Sequence, residues 1–337
     1  MKLARTLHLL LLGAALSLAG IAAADNPVVI KFSHVADSNT PRGRAAMRFK
    51  QLLEEAARDR VRVDVYPNGV LYRESDELEA LQLGAVQMLA PSLAKLALFG
   101  VREFEVFDLP YIFSDPAAVA RVTQGAVGQS LFNKLGPKGM VGLAYWDGGF
   151  KVMSSDKPLN MPNDLVGLRM RIHASRALEV QMEALGATPV AMEANDVYRA
   201  LKSGLIDGAE STPANLRARH WDELQDNITL SRHGYVGYAV IVNKRFWDGL
   251  PTDLRKLIED AMAEATAYGN ALAAQENDAA LEWLKKSDRI AVHMLSPRED
   301  IAWRQAMQPV AHDLEARLGK AIVSATESDA AGRWRRR

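Results

Sequence analysis

The stretch Gly167-Leu168-Arg169-Met170-Arg171-Ile172-His173-Ala174-Ser175 alternates basic and apolar side chains and then runs into a helical pattern. Residues two apart share one face of a strand, so Arg169 and Arg171 stand together while Leu168, Met170 and Ile172 turn to packing. Arg169 reads as a solvated arginine on a half-exposed strand. Arg171 differs because it lies at the carboxyl end of its strand, directly before a helix start near Ala174 or Ser175. Ligands of open α/β sheets bind beyond such strand ends, and a helix start adds free N–H groups and a positive dipole. A guanidinium meets a carboxylate with two parallel hydrogen bonds. Arg171 is therefore the best candidate anion clamp in the chain.

A second cation lies in Tyr145-Trp146-Asp147-Gly148-Gly149-Phe150-Lys151-Val152-Met153. The two glycines allow close backbone approach, and the aromatic neighbours suit a pocket wall. Lys151 gains weight from its place, where one α/β block ends and the next begins. A cleft is expected there.

Other chemistry is not visible. The chain has no phosphate loop, no dinucleotide fingerprint, no nucleophile elbow and no His-Glu-x-x-His motif. Without any cysteine it has no disulfide, thiolate nucleophile or lipidated N-terminus, and its histidines show no paired metal spacing. No cofactor and no metal are expected. With 41 basic and 41 acidic residues the charge is balanced, which argues against nucleic acid or an anionic membrane as partner.

The elements that must position Arg171 and Lys151 follow from periodicity. Residues 1–24 read as a signal peptide cleaved after Ala24, which predicts export to the periplasm. A strand at Val28–Phe32, a helix capped by Thr40-Pro41 and a strand at Arg60–Tyr66 make one βαβ unit. Alternation continues through a helix at Ser75–Leu83 and strands at Val86–Ala90 and Val141–Trp146. It resumes with a strand at Leu168–Ile172, helices at Ser175–Leu185 and Asn195–Ser203, a short strand at Leu205–Gly208 and a strand at Tyr238–Val242. Thr252–Lys286 has helical periodicity with no proline, a rod of about 50 Å that must span more than one lobe. A capping box at Ser296-Pro297-Arg298-Glu299 opens a last helix through Leu318, kinked at Pro309. The pattern predicts an α/β fold of two lobes, each an open sheet flanked by helices. Residues 25–148 with about 237–275 form lobe I, and 149–236 with about 276–319 form lobe II. Residues 320–337 are a C-terminal tail, with Arg333–Arg337 as a solvated end.

Several ordered motifs carry a family resemblance: Phe32-Ser33-His34-Val35 with Thr40-Pro41-Arg42-Gly43, Ala90-Pro91-Ser92-Leu93-Ala94-Lys95, Phe107-Asp108-Leu109-Pro110 and Gly167-Leu168-Arg169-Met170-Arg171. Val197-Tyr198-Arg199-Ala200-Leu201, Asp207-Gly208-Ala209-Glu210 and Gly237-Tyr238-Ala239-Val240-Ile241-Val242 continue the series. Together they resemble the solute-binding subunits of tripartite ATP-independent periplasmic (TRAP) transporters over about residues 28–319. Gly149-Phe150-Lys151 and Trp303-Arg304-Gln305-Ala306-Met307-Gln308-Pro309 look most like the four-carbon dicarboxylate branch.

The resemblance implies a type II-like periplasmic binding fold. It also implies an arginine at position 171 on the substrate carboxylate, Lys151 on the second carboxylate, and polar contacts from Ser92, Asn215 and Tyr235, with Ser211 beside them. Relatives commonly place asparagine at 211, and often at 148. The implied partners are a small organic acid and the small and large TRAP membrane subunits, served by a monomeric receptor. Readings kept open are the same receptor for a monocarboxylate or keto acid, a periplasmic hydrolase or lyase using Asp207, Glu210 and a histidine, and a sensory partner of a membrane kinase.

Overall fold

A computed structural model describes residues 26–332, so the leader with its cleavage point and the terminal arginines lie outside the described residues. Two mixed sheets form the frame. The first, in the order β2-β1-β3-β10-β4, is built from β1 (Val28–Ser33), β2 (Val61–Tyr66), β3 (Met88–Leu89), β4 (Met140–Phe150) and β10 (Tyr235–Asn243). The second, in the order β11-β9-β5-β8-β6-β7, holds β5 (Val152–Ser155), β6 (Arg169–Ile172), β7 (Thr188–Ala191), β8 (Gly208–Ser211), β9 (Asn227–Thr229) and β11 (Ala291–His293). Within each sheet β1, β2 and β3, or β6, β7 and β8, run parallel, and a strand from the other half of the chain is laid antiparallel against them. That exchange ties the lobes together without a flexible linker.

Two strand crossings and one helix join the lobes. Lys151 alone separates β4 from β5, and residues 230–234 lead from β9 to β10. The crossings touch where Lys151 N–H donates to the Gly234 carbonyl at 2.9 Å. The helix Thr252–Lys286 has the bounds that its periodicity predicts. Its first half buries Leu254, Ile258, Met262 and Ala265 in the core of the first sheet, and Leu284 near its end packs with Val197, Ile206 and Trp221 of the second. Burial of such apolar side chains contributes roughly 1.5–3 kcal/mol each, which fastens the helix to both lobes.

Local rules account for the helix starts. Thr40 caps Pro41–Ala57 by accepting from Gly43 N–H at 3.2 Å, and Asp115 caps Pro116–Thr123 by accepting from Ala118 N–H at 2.8 Å. The capping box is present, with Ser296 N–H donating to Glu299 at 2.6 Å.

The strand expected at Val86–Ala90 is reduced to Met88–Leu89 and the helix expected at Asn195–Ser203 to Val197–Lys202, and four larger departures follow. The strand expected at Leu205–Gly208 begins only at Gly208, because Asp207 is turned aside to bond Arg169 through its backbone and side chain. Arg169 is consequently in a two-bond fork with Asp207, at 2.9 and 2.6 Å, rather than solvated alone. The last helix is divided at Met307 into Pro297–Ala306 and Gln308–Leu318, with Pro309 in the first turn of the second piece, where its missing N–H costs little. Residues 320–330, expected as a tail, form a helix that buries Val323, Thr326 and Ala330 and is tied to Arg121 through the carbonyls of Asp329 and Ala330.

Candidate functional site

Three arginines from three separate elements meet in the cleft between the sheets. Arg42 comes from the first turn of Pro41–Ala57, Arg171 from β6, and Arg219 from the residue after the helix Pro213–Ala218. With Glu74 and the polar side chains of Ser92, Ser211 and Asn215 they line one narrow cavity of about 20 Å³. A cavity of 10–15 Å³ by this kind of measure holds a single water, so a four-carbon diacid enters only when the lobes part.

The guanidiniums are held from behind by backbone. Arg171 donates Nε and Nη2 to the Met192 carbonyl at 3.0 and 2.8 Å, while its buried Nη1 has no hydrogen-bond partner among the described residues. Arg42 donates Nη1 to the Ala90 carbonyl at 2.9 Å, lies 4.0 Å from the centre of the Tyr238 ring, and keeps a buried Nε unpartnered. Arg219 reaches Asn195 Oδ1 at 2.7 Å and, across the cleft, the Val35 carbonyl at 3.4 Å. No salt bridge among the described residues neutralises any of the three. Burial lowers the Arg171 pKa, and burial followed by the charge of Arg42 brings Arg219 down to about 10. Both remain cationic at neutral pH. Fixed, partly desolvated and without a direct salt bridge, this group is a site for an anion.

The neighbouring uncharged groups are donors. Asn215 Nδ2 donates to the Tyr238 hydroxyl at 3.2 Å, and Trp221, whose ring centre is 5.6 Å from the Arg171 guanidinium, has a buried and unpartnered indole N–H. His173 is held neutral first by burial and then by the charges of Arg171 and Lys151.

The structure thus brings Arg171, Ser92, Ser211 and Asn215 together and leaves Lys151 and Tyr235 outside the lining of that cavity. Both line a smaller adjoining cavity of about 10 Å³, which shares Ser92 and His173 with the first. Lys151 Nζ is bonded to Glu210 at 2.7 Å, and Glu210 meets His233 Nε2 at 3.0 Å, all three fully buried at the strand crossings. Its ammonium is already matched by a carboxylate of this chain. The Tyr235 hydroxyl donates to Asp147. The glycine pair serves the hinge as well: Gly149, at φ +118°, would put a Cβ 2.6 Å from Asn277 Nδ2, and Asn277 donates to the Gly148 carbonyl at 2.7 Å. Gly148 sits at an irregularity in the β4–β10 ladder, where Val236 pairs Gly149 and Gly237 pairs Asp147.

Sequence reasoning missed Arg42, Arg219 and Glu74 as site residues. Arg42 was within reach, since it follows the Thr40-Pro41 start at a helix N-terminus. Arg219 and Glu74 stand in polar loops that read as solvent.

The lips of the cleft are joined at the rim of the cavity and beyond it. Arg73 donates to Glu193 at 3.1 and 2.9 Å and to Asp196 at 2.9 Å, Ser75 N–H donates to Glu193 at 3.1 Å, and Ala194 N–H donates to Glu74 at 3.3 Å. Residues 73–75 follow the first sheet's β2 and residues 193–196 follow the second sheet's β7. The lobes are therefore closed on each other.

Two lobes joined by crossing strands and closing over a cluster of cations define a solute-binding protein of the periplasmic type. Residues 32–317 match the family DctP, "Bacterial extracellular solute-binding protein, family 7", and the chain belongs to that family. It is 50% identical over 325 residues to the C4-dicarboxylate-binding periplasmic protein DctP of Rhodobacter capsulatus, covering 96% of this chain and 98% of that one. It is 41% identical over 299 residues to the DctP of Shewanella loihica, covering 89% of each. Among solved structures, a TRAP periplasmic solute-binding protein from Shewanella oneidensis with bound succinate superposes with a TM-score of 0.87 at 39% identity, covering 90% of this chain and 99% of that one. One from Pseudomonas aeruginosa with bound L-malate gives 0.82 at 38% identity, covering 85% and 100%. The family is one of solute receptors rather than enzymes.

Proposed function

We propose that this protein is a periplasmic receptor that captures a C4-dicarboxylate of the succinate, malate and fumarate class between its lobes, closes, and delivers it to TRAP membrane subunits. The observation that carries the reading is the set of three guanidiniums around one cavity, Arg171 buried and Arg42 and Arg219 half-buried, two of them with unpartnered N–H groups. Arg171 takes one carboxylate and Arg42 with Arg219 the other, and Ser92, Ser211 and Asn215 add polar contacts. The second clamp thereby passes from Lys151, already paired with Glu210, to Arg219 of the same lobe as Arg171 and to Arg42, which the closing first lobe brings in.

The magnitudes allow this. Micromolar capture needs about −8.2 kcal/mol, and a ligand of roughly eight heavy atoms has a ceiling near −12 kcal/mol. A hydrogen bond to a charged group contributes about 1.5–3 kcal/mol, so both ends of the ligand must be paired. Arg42 belongs to the first lobe and Arg171 to the second, and a ligand bridging them favours the closed state by its differential affinity. Homologues named as periplasmic binding proteins support a periplasmic location, and the small-residue ending of the N-terminal apolar run supports removal of a leader after about Ala24.

Thermal shift and calorimetry on the purified mature chain test the reading. Succinate, malate or fumarate at a hundredfold excess over Kd is expected to add about 2.7 kcal/mol and raise the melting temperature by several degrees. Absence of binding by all three, or equal binding of lactate and butyrate, sinks the dicarboxylate assignment.

A further inference from the structure

The anion site contains an anion. Glu74 lines the same cavity as Arg42, Arg171 and Arg219, and its charge is felt by both Arg171 and Arg219. Yet Glu74 forms no ion pair within 4.0 Å with any of the described residues; its Oε2 accepts only from Ala194 N–H, 3.3 Å away across the cleft. A carboxylate bound only to a backbone amide beside three guanidiniums cannot be explained as a partner of one of them.

The charges of the cavity give a simpler account. Three guanidiniums against one carboxylate leave two positive charges. His173 adds none while neutral; in the adjoining cavity, outside this lining, Lys151 pairs with Glu210, and the buried Asp108 carboxylate accepts from the Ser175 hydroxyl at 2.8 Å. Two positive charges complement a dianion. The same carboxylate repels every anion that enters, in proportion to the charge the anion carries.

We propose that Glu74 is a specificity-determining counter-charge, which matches the closed cavity to a doubly charged ligand and keeps that ligand releasable. The inference rests on the dicarboxylate reading and deepens it. An arginine cluster without Glu74 holds a dianion more tightly and gives it up more slowly, a poor property for a receptor that must hand its cargo on. Because Glu74 reaches across to Ala194 beside the Arg73–Glu193 lip contacts, the counter-charge is brought fully against the ligand only on closure.

Glu74→Gln keeps the shape and a carbonyl oxygen for Ala194 N–H while removing the charge. Calorimetry at pH 7.5 with succinate, and with its monoamide succinamate as a single-charge probe of nearly the same shape, reads the effect. The variant is expected to bind succinate about tenfold more tightly and succinamate only about threefold, since repulsion scales with ligand charge. Stopped-flow tryptophan fluorescence should show slower succinate release. Unchanged or weaker succinate binding in the variant overturns the proposal and leaves Glu74 as a lip contact alone. An equal gain for both probes also overturns it, by assigning the effect to shape. Failure of the wild-type protein to bind any C4-dicarboxylate is a different result: it removes the receptor reading and this inference with it.

Discussion

Two buried charge clusters lie side by side at the junction of the lobes, and they are built oppositely. At the strand crossings Lys151, Glu210 and His233 satisfy one another: ammonium on carboxylate at 2.7 Å, imidazole on carboxylate at 3.0 Å, with Ser231 Oγ 2.7 Å from the other ring nitrogen. Lys151 and then His233 hold the Glu210 carboxyl well below the usual carboxylate range, against its burial. In the cleft Arg42, Arg171 and Arg219 have backbone carbonyls or an amide behind them and no carboxylate in contact. The first cluster is complete without a ligand and acts as structure. The second is incomplete, and the energy that it leaves unrealised is what a ligand obtains. Burial alone does not distinguish a binding cation from a structural one; the presence of an internal counter-ion does.

The same substitution at each cluster should have opposite consequences, and this is the largest expected effect. Arg171→Met removes an uncompensated buried charge at similar volume. Calorimetry should show succinate affinity falling by about a hundredfold or more, with a ligand-free melting temperature equal to or above that of the wild type. Lys151→Met strands Glu210 in the interior and should cost about 3–5 kcal/mol in urea unfolding, much of which returns when Glu210 is also made apolar. If Lys151→Met instead leaves stability intact and abolishes binding, the two clusters have been assigned the wrong way round.

A pH experiment sharpens the contrast. His34 adjoins Val35 of the cavity wall, and burial, followed by the charge of Arg42, lowers its pKa to about 3. A histidine that binds its proton less readily folded than unfolded contributes stability that is complete above pH 6.5 and lost as pH falls towards 3. His34→Phe should flatten that acid limb by a few kcal/mol at most, order of magnitude, in unfolding curves recorded between pH 7 and pH 4. Glu210, held low by its partners, contributes in full above pH 4.5 and loses that contribution progressively as pH falls below it.

The smallest effect belongs to the lips. Arg73 is fully exposed, and solvent-screened pairs of this kind contribute little. Arg73→Ala should weaken succinate binding by no more than about fivefold, through a less populated closed state, and the difference should shrink at 1 M salt. A hundredfold loss would show that the lips, rather than the arginine cavity, hold the ligand.

Much of the frame was legible, because periodicity and capping act locally. The bounds of Thr252–Lys286, the Thr40 cap and the box at Ser296 each rest on residues within a few positions of one another. Arg171 was legible for a related reason: strand alternation and the helix that follows it place its side chain at the cleft. Lys151 was rightly placed at the junction, but its partner Glu210 is 59 residues away, and no local pattern shows which of the two has claimed the other. Arg219 becomes a cavity residue only when its loop closes over Val35, 184 residues distant. The helix at Lys320–Ala330 was passed over because its apolar face, Ile322, Val323, Thr326 and Ala330, is thin and lies among polar residues.

The helix Thr252–Lys286 has a mechanical consequence. Gly269 lets it lie against Ala45 of the first lobe so closely that a Cβ there would come within 2.7 Å, while Trp283 near its far end receives the Arg217 guanidinium of the second lobe at 3.9 Å. A rod clamped at both ends and crossing the pivot cannot stay straight through both lobe positions. Between those ends Asn270 accepts from Asp147 N–H and Asn277 donates to the Gly148 carbonyl, so the middle of the rod is held to β4 as well. Any parting of the lobes has to bend this stiff member or loosen one of its three fastenings.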